Sequence, residues 1–405
     1  MQRDAHQAAL DTRVLKSVVE ELAVIPRLAT SAGERHAAAL ISERFSGLGW
    51  EATIEDIPAY RSYAWPIGLL CAGSLASAAL GSGSGRRRWI GVAGGLLCAA
   101  GIVDDITGGP MWTRRLFMRR RRSQNVVARK DTGGSRTFCV VAHHDAAPSG
   151  FVFRKELEIW LAGRHPQIVQ RLRSNPPIWW LVIAGPVLVA AGSALDLRRL
   201  TWLGVAFSAT SLLALVDIGH RGPVPGANDN LSGVAALIGA AGVLDNVDVA
   251  NLNLLFVSMG AEETLQGGIR AFAAAHFSEL PVRSTDFLIL DTVGFGHLVL
   301  LEGEGPVRMH TYDAAFKDFI TDVASSSGIP LTRGLRSRNS TDAVVPQRYG
   351  FKTACVVSVD ERKLMPHYHL DSDTPEHLDY TSVRHAALLI LAIVDRLRSD
   401  RAPSA

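Results

Sequence analysis

Thr137-Phe138-Cys139-Val140-Val141-Ala142 is an uncharged, mostly apolar run that leads straight into His143-His144-Asp145. A short, near-continuous apolar run is the pattern of a strand buried on both faces, as in parallel sheets. Two more such runs follow: Leu252 to Ser258 leads toward Glu262-Glu263, and Phe287 to Leu290 leads into Asp291. Helical patterns surround them, over Ala8–Leu48 with a break near Pro26, then Ser232–Leu244, Gly268–His276 and Val383–Leu397. Glu51 to Pro58 reads as one further strand. The alternation predicts an α/β fold, a three-layer sandwich in which helices flank a mixed, mostly parallel central sheet. Ligand-bearing loops in such sheets sit at the carboxyl ends of strands. Three strands should therefore deliver a His, a Glu pair and an Asp to one edge.

The residue types at that edge suit metal chemistry. Asp145 follows His143 by two positions, so on a strand end both point the same way. Its carboxylate is placed to accept a hydrogen bond from the imidazole nitrogen not on a metal, which fixes the tautomer, while His144 faces away. Gly226-Ala227-Asn228-Asp229-Asn230-Leu231-Ser232-Gly233 is a polar loop opening a helix. Two divalent ions a few ångströms apart repel and need a shared anionic ligand, and Asp229 is the natural bridge. Of the adjacent Glu262 and Glu263, one can bind metal while the other takes a proton from water. His367-Tyr368-His369 offers two candidates for a last ligand, and spacing does not separate them. Each piece also has a bland reading: a structural histidine, an Asp/Asn helix cap, or solvated loop acids. Together, in this order, the five motifs supply the ligand set of a two-metal hydrolase.

The constellation resembles the M28 zinc aminopeptidases through Val18–Tyr60 and Ser123–Leu397, leaving out two apolar hairpins. The resemblance implies two zinc ions, one completed by His143 and Asp291 and the other by Glu263 and His369, with Asp229 bridging. Glu262 would be the general base, and Tyr368 matches a tyrosine that steadies the oxyanion in some members. His369-Leu370-Asp371-Ser372-Asp373-Thr374 is similar to the family's closing segment, and Thr341-Asp342 to its Ser-Asp pair. The implied reaction is hydrolysis of a peptide's N-terminal residue through a metal-bridging hydroxide, Glu262 carrying the proton to the leaving amine. Thr264-Leu265-Gln266-Gly267-Gly268 departs from the family's usual Gly-Leu-x-Gly-Ser after the second acid, so the pocket wall there should differ. Rival readings are a related di-zinc carboxypeptidase or deacylase, a glutaminyl cyclase, and an inactive membrane scaffold that has kept the fold.

Four uncharged stretches fall outside this resemblance: Ala64–Gly85, Trp89–Val103, Pro176–Leu195 and Leu200–Val216. They form two apolar helical hairpins, inserted at about 62–110 and 176–218 into a single catalytic domain spanning 1–405. A membrane helix needs roughly 20 apolar residues; the first and third stretches reach this length and the others fall short. Trp65, Trp89, Trp112, Trp179, Trp180 and Trp202 stand at or near the ends, where interfacial aromatics belong. Phe151–Arg173 mixes aromatics with Arg and Lys and reads as an interfacial amphipathic helix or a surface helix. Apolar residues make up 47% of the chain and charged residues 20%, with positive mean hydropathy, a balance that suits a soluble part joined to a membrane part. The expected partners are a peptide substrate and membrane lipid. A net charge of +3 gives nucleic-acid binding no support. The four cysteines, Cys71, Cys98, Cys139 and Cys355, read as buried free thiols. The polar Met1–His6 segment lacks the apolar core of a signal peptide. With more arginines flanking the domain side of the spans than their tips, the catalytic domain is expected to face the cytoplasm.

Overall fold

The computed structural model describes residues 2–82, 85–245, 247–249 and 251–399; Met1, and positions 83 and 84 of the first apolar stretch, lie outside them. The first helical region is three helices, α1 (Gln2–Ala9), α2 (Thr12–Ala23) and α3 (Ala32–Gly47). Asp11 caps α2 by accepting the Arg13 N–H at 2.8 Å, and Ser31 caps α3 by accepting the Glu34 N–H at 3.1 Å. Pro26 lies in the intervening loop, as its missing N–H requires.

Strand β1 (Glu51–Ala59) is followed by helices α4 (Ala64–Leu80), α5 (Arg88–Ile106) and α6 (Trp112–Phe117). Strands β2 (Arg121–Lys130) and β3 (Arg136–His143) come next, then α7 (Glu156–Arg164), α8 (Pro166–Arg171), α9 (Ile178–Ala194) and α10 (Arg198–His220). The chain continues through α11 (Ser232–Leu244), β4 (Leu252–Met259), α12 (Gly267–His276), β5 (Thr285–Leu290) and β6 (His297–Leu300). A small two-stranded sheet, β7 (Gly303–Glu304) with β8 (His310–Thr311), precedes α13 (Ala314–Ser326) and β9 (Leu331–Thr332). Helix α14 (Val344–Arg348), β10 (Lys352–Val359) and α15 (Tyr380–Ser399) complete the fold.

The main sheet has eight strands in the order β1-β2-β4-β3-β5-β10-β6-β9. Its central four, β4-β3-β5-β10, are mutually parallel, and antiparallel pairs flank them. The expected α/β sandwich is the observed one. One face carries Phe138, Phe256, Leu288 and Leu290 against α2, α11 and α15. The other carries Val141, Val257, Phe287 and Ile289 against α12 and α14. Strand β2 had no apolar signal because Ser123, Gln124 and Asn125 are polar, yet all three are buried. Their polar atoms are used: Ser123 donates to Glu34, Gln124 to Asp56, and Asn125 bonds the backbone at Gly260 and Gly268.

Helices α4, α5, α9 and α10 pack as a four-helix bundle with an interior of its own that includes Ile67, Cys71, Ile102, Val182 and Leu215. Their lengths reverse the order read from the uncharged stretches. Two helical segments, Gly85–Ile106 and Arg198–His220, are long and apolar enough to cross a membrane, while Ala64–Leu80 and Ile178–Ala194 are shorter. The helices run on through Arg88, Asp104 and Asp105 in one case and Arg198 and Arg199 in the other, whereas α4 stops at Gly81. Charge bounds an apolar stretch; backbone hydrogen bonding bounds a helix. The segment 151–173 is not one amphipathic helix. It is a single helical turn followed by two short helices, α7 and α8, and it leaves Leu157, Trp160, Leu161, Ile168 and Leu172 exposed.

Candidate metal centre

Three parallel strands end at one edge. His143 is the last residue of β3, Glu262 and Glu263 follow β4, and Asp291 follows β5. Asp229 and His369 arrive from two loops that one carboxylate clamps together. Asp373 accepts the N–H groups of Asn228 and Asp229 at 2.8 and 3.0 Å, and its carbonyl accepts that of Ala227 at 3.1 Å. Asn230 and Asn228 fasten the same loop to the start of the Asp291 segment by accepting from Thr292 and Gly294. From beneath, the fully buried Arg27 donates to the carbonyls of His144 and Pro225, joining the His143 and Asp229 loops.

Asp229 ends up between two imidazoles. Its Oδ1 lies 3.2 Å from His143 Nε2 and its Oδ2 lies 3.2 Å from His369 Nε2, which is also 3.3 Å from Glu263 Oε2. Ligand-type atoms of His143, Asp229 and Asp291 fall within 4.8 Å of one another, and so do those of Asp229, Glu263 and His369. Asp229 belongs to both groups. Glu262 is absent from these two but forms a third such group with His143 and Glu263, its Oε2 4.0 Å from His143 Nε2. His369 is thereby distinguished from His367, which is half-buried, bonds Ser372 through Nδ1 and stacks on His377. Tyr368 stacks on His369 with ring centroids 3.9 Å apart, and Phe153 meets the same imidazole edge-on at 4.5 Å.

Asp145 differs from expectation. The His143 Nδ1–H donates to the main-chain carbonyl of Asp145 at 3.2 Å, which still fixes the tautomer and leaves Nε2 toward the centre. The Asp145 carboxylate instead accepts the N–H groups of Glu262 and Glu263, each at 3.0 Å. Two N–H groups in a row present a dipole that an acid satisfies better than an imidazole at 3.5 Å. His144 does face away, bonded to Ser258 Oγ, and burial lowers its pKa to about 4.

The residues fit a pair of cations. Asp229 Oδ2, Glu263 Oε1 and both ring nitrogens of His369 are buried without a hydrogen-bond partner. Native buried polar atoms rarely stand orphaned, and these converge on one another instead of pairing. Carboxylates crowd the same space. Burial, and then the charge of Asp229, drives the Asp291 carboxyl well above the ordinary range, and Glu262 and Glu263 are raised by burial as well. Burial also raises Asp342, to about 7, with one oxygen unpartnered. Asp229 alone is held low, because the two imidazoles outweigh its burial. Bound cations would relieve this concentration of buried negative charge. Sequence reasoning missed Glu34, which accepts the Ala261 N–H at 2.9 Å and so supports the Glu262 loop from α3. No local pattern marks it, since the contact spans 227 residues.

Sheet order, strand-end ligands and shared carboxylate define an α/β fold of the zinc-exopeptidase kind. The model of Peptidase family M28 matches residues 213–394, which hold Asp229, Glu262, Glu263, Asp291 and His369. His143 lies before the matched span and is brought in by β3. No curated protein matches the sequence. Among solved structures, a leucine aminopeptidase precursor from Bacteroides thetaiotaomicron superposes with a TM-score of 0.57 at 13% identity, covering 95% of this chain and 97% of that one. The aminopeptidase from Aneurinibacillus sp. strain AM-1 gives 0.53 at 16% identity, with 95% and 94% covered. A glutaminyl cyclase from Bacteroides thetaiotaomicron, bound to N-acetylhistamine, gives 0.55 at 13% identity, with 95% and 97% covered.

Proposed function

We propose that this protein is a membrane-associated, co-catalytic di-zinc peptidase, an aminopeptidase that removes N-terminal residues from peptides. One observation carries the reading: a single carboxylate, Asp229, placed 3.2 Å from each of two imidazoles that belong to two different ligand groups. His143 and Asp291 would hold one zinc ion and Glu263 and His369 the other, with Asp229 shared. Bound there, the zinc pair supplies Lewis-acid chemistry, acidifying water and polarising the scissile carbonyl. Glu262, outside the two groups that share Asp229, takes the proton from the attacking water and hands it to the leaving amine. Asp145 holds the backbone of Glu262 and Glu263 so that base and ligand keep their spacing. Tyr368, stacked on His369, is the phenol that donates to the developing oxyanion.

Two measurements test this. Metal analysis of the purified protein should find two zinc ions per chain. A panel of free and N-blocked peptides should show release of the first residue from free N-termini alone. Cleavage from the other end, deacylation, or cyclisation of N-terminal glutamine would replace the aminopeptidase reading with its rivals, and absence of zinc would favour the inactive scaffold.

The membrane part of the reading rests on the two helical segments of spanning length and on the bulky apolar side chains around the bundle. The hairpins then act as insertions at about 62–110 and 176–218 in one catalytic domain. The protein should stay with membranes through alkaline carbonate and leave only in detergent; release by carbonate sinks the idea. With the arginine distribution as guide, the catalytic domain faces the cytoplasm, so protease added to intact cells should leave it whole.

A further inference from the structure

We infer that Arg114 is a positioning residue for the metal centre, tying the base of the first helical hairpin to the loop that carries Glu262 and Glu263. The inference rests on the di-zinc reading of that loop and adds to it a mechanical link to the inserted bundle.

The loop is an improbable conformation. Ala261, Leu265 and Gln266 all have positive φ, at 52°, 71° and 59°, and none is glycine. Such residues persist only where the surroundings over-determine them. Two restraints belong to the α/β core: Glu34 on the Ala261 N–H and Asp145 on the next two. The third comes from the bundle. Arg114, on α6, donates from Nη1 to the Thr264 carbonyl at 2.7 Å and from Nε to Asp105, at the end of α5, at 2.5 Å. Arg270 donates to the Leu265 carbonyl and to that of Gly108, just past α5, so two arginines join the same loop to the same hairpin base. The Leu265 side chain packs on the bundle's own interior. Phe153, whose ring meets His369, packs there too.

The Arg114–Asp105 pair is poorly explained by stability. Both side chains are buried, at 1% and 0% exposure, and Arg114 Nη2 and Asp105 Oδ2 lack hydrogen-bond partners. A buried, incompletely satisfied ion pair is weak support for a fold and is often matched by apolar residues of equal volume. What an apolar substitute cannot do is donate to the Thr264 carbonyl, one residue after Glu263. The Thr264-Leu265-Gln266 sequence, which departs from the family's usual run, supplies the carbonyl and the apolar side chain that the bundle grips.

The test is the double variant Asp105→Asn with Arg114→Met, which removes both charges together and so leaves no lone buried ion. It is compared with Arg114→Lys, which can still reach a carbonyl, and with the parent, all in detergent. The readouts are thermal midpoint, zinc per chain, the visible spectrum of cobalt(II)-loaded protein, and kcat and KM on an aminoacyl substrate. The expected result is a double variant that melts near the parent and binds two metal ions, yet has an altered cobalt spectrum and a kcat at least tenfold lower. KM should stay within threefold, and Arg114→Lys should recover part of kcat. A folded double variant with parental spectrum and kcat overturns the inference, as does a lost kcat accompanied by an equally lowered melting point in all variants. A parent that binds no metal overturns the di-zinc reading, and the positioning role falls with it.

Discussion

The interior beside the sheet and the interior of the bundle are built on opposite rules. Along the sheet, bulky side chains point inward: Phe138, Phe256, Phe272 and Phe287 are fully buried. In the bundle, small residues hold the contacts. A Cβ on Gly204 would lie 2.6 Å from the Val189 nitrogen, one on Gly95 2.7 Å from the Pro186 carbonyl, and Ser74 and Ser208 share a hydrogen bond at 3.0 Å. The large side chains point out, Trp202 at 60% exposure and Leu213 at 67% among them. Water drives the first arrangement, since burying apolar area is what stabilises it. The second is the packing that small residues allow, with helix backbones approaching closely. Charges divide in the same way. The α/β part gathers buried acids around one point, whereas the bundle keeps its acids, Asp104, Asp105 and Asp217, near the C-terminal ends of α5 and α10.

That contrast breaks most sharply at the metal centre. Stripping zinc with a chelator should abolish hydrolysis and lower the melting point of the α/β part, because five buried carboxylates then face one another with only imidazoles for company. Zinc alone should restore both, and full activity in the stripped protein would end the di-zinc reading.

Next in size is Asp229→Ala, which removes the shared ligand. At least one zinc should be lost together with activity, and two tightly held ions in this variant would rule out the bridge. Glu262→Gln separates chemistry from architecture. Both metals and the fold should survive while the rate falls by about two orders of magnitude, so near-parental turnover would assign the base elsewhere.

Smaller effects sharpen the comparison of interiors. Gly204→Leu forces α9 and α10 apart and should cost about 1–3 kcal/mol by overpacking, read as thermal unfolding in detergent. Trp202→Gln, on the outer face, should leave kcat and the detergent melting point unchanged and weaken only recovery in the membrane fraction. A gain in stability from Trp202→Gln in detergent-free buffer would show that water, not lipid, meets that face.

Legibility in the sequence followed the range of the physics involved. Strands β3, β4 and β5 were readable because burial on both faces leaves a continuous apolar run, and the candidate ligands at their ends followed from the parallel order. Strand β2 was unreadable: its Ser123, Gln124 and Asn125 are buried by virtue of partners about 70 to 140 residues away. Asp145 shows the limit of local geometry, since the i, i+2 rule found the right neighbour for His143 and the wrong atom.

By itself the sequence determined the layer order of the fold, a set of candidate ligand residues and the presence of two apolar hairpins. These depend on hydrophobic periodicity and residue chemistry, which are properties of neighbours along the chain. Only the tertiary structure decided that His369 and not His367 meets Asp229, that Asp373 clamps the Asp229 loop, and that Arg114 reaches from the hairpin to the Glu263 loop. Those are contacts between segments remote in sequence, and loop backbone conformation, not residue type, sets which side chain arrives.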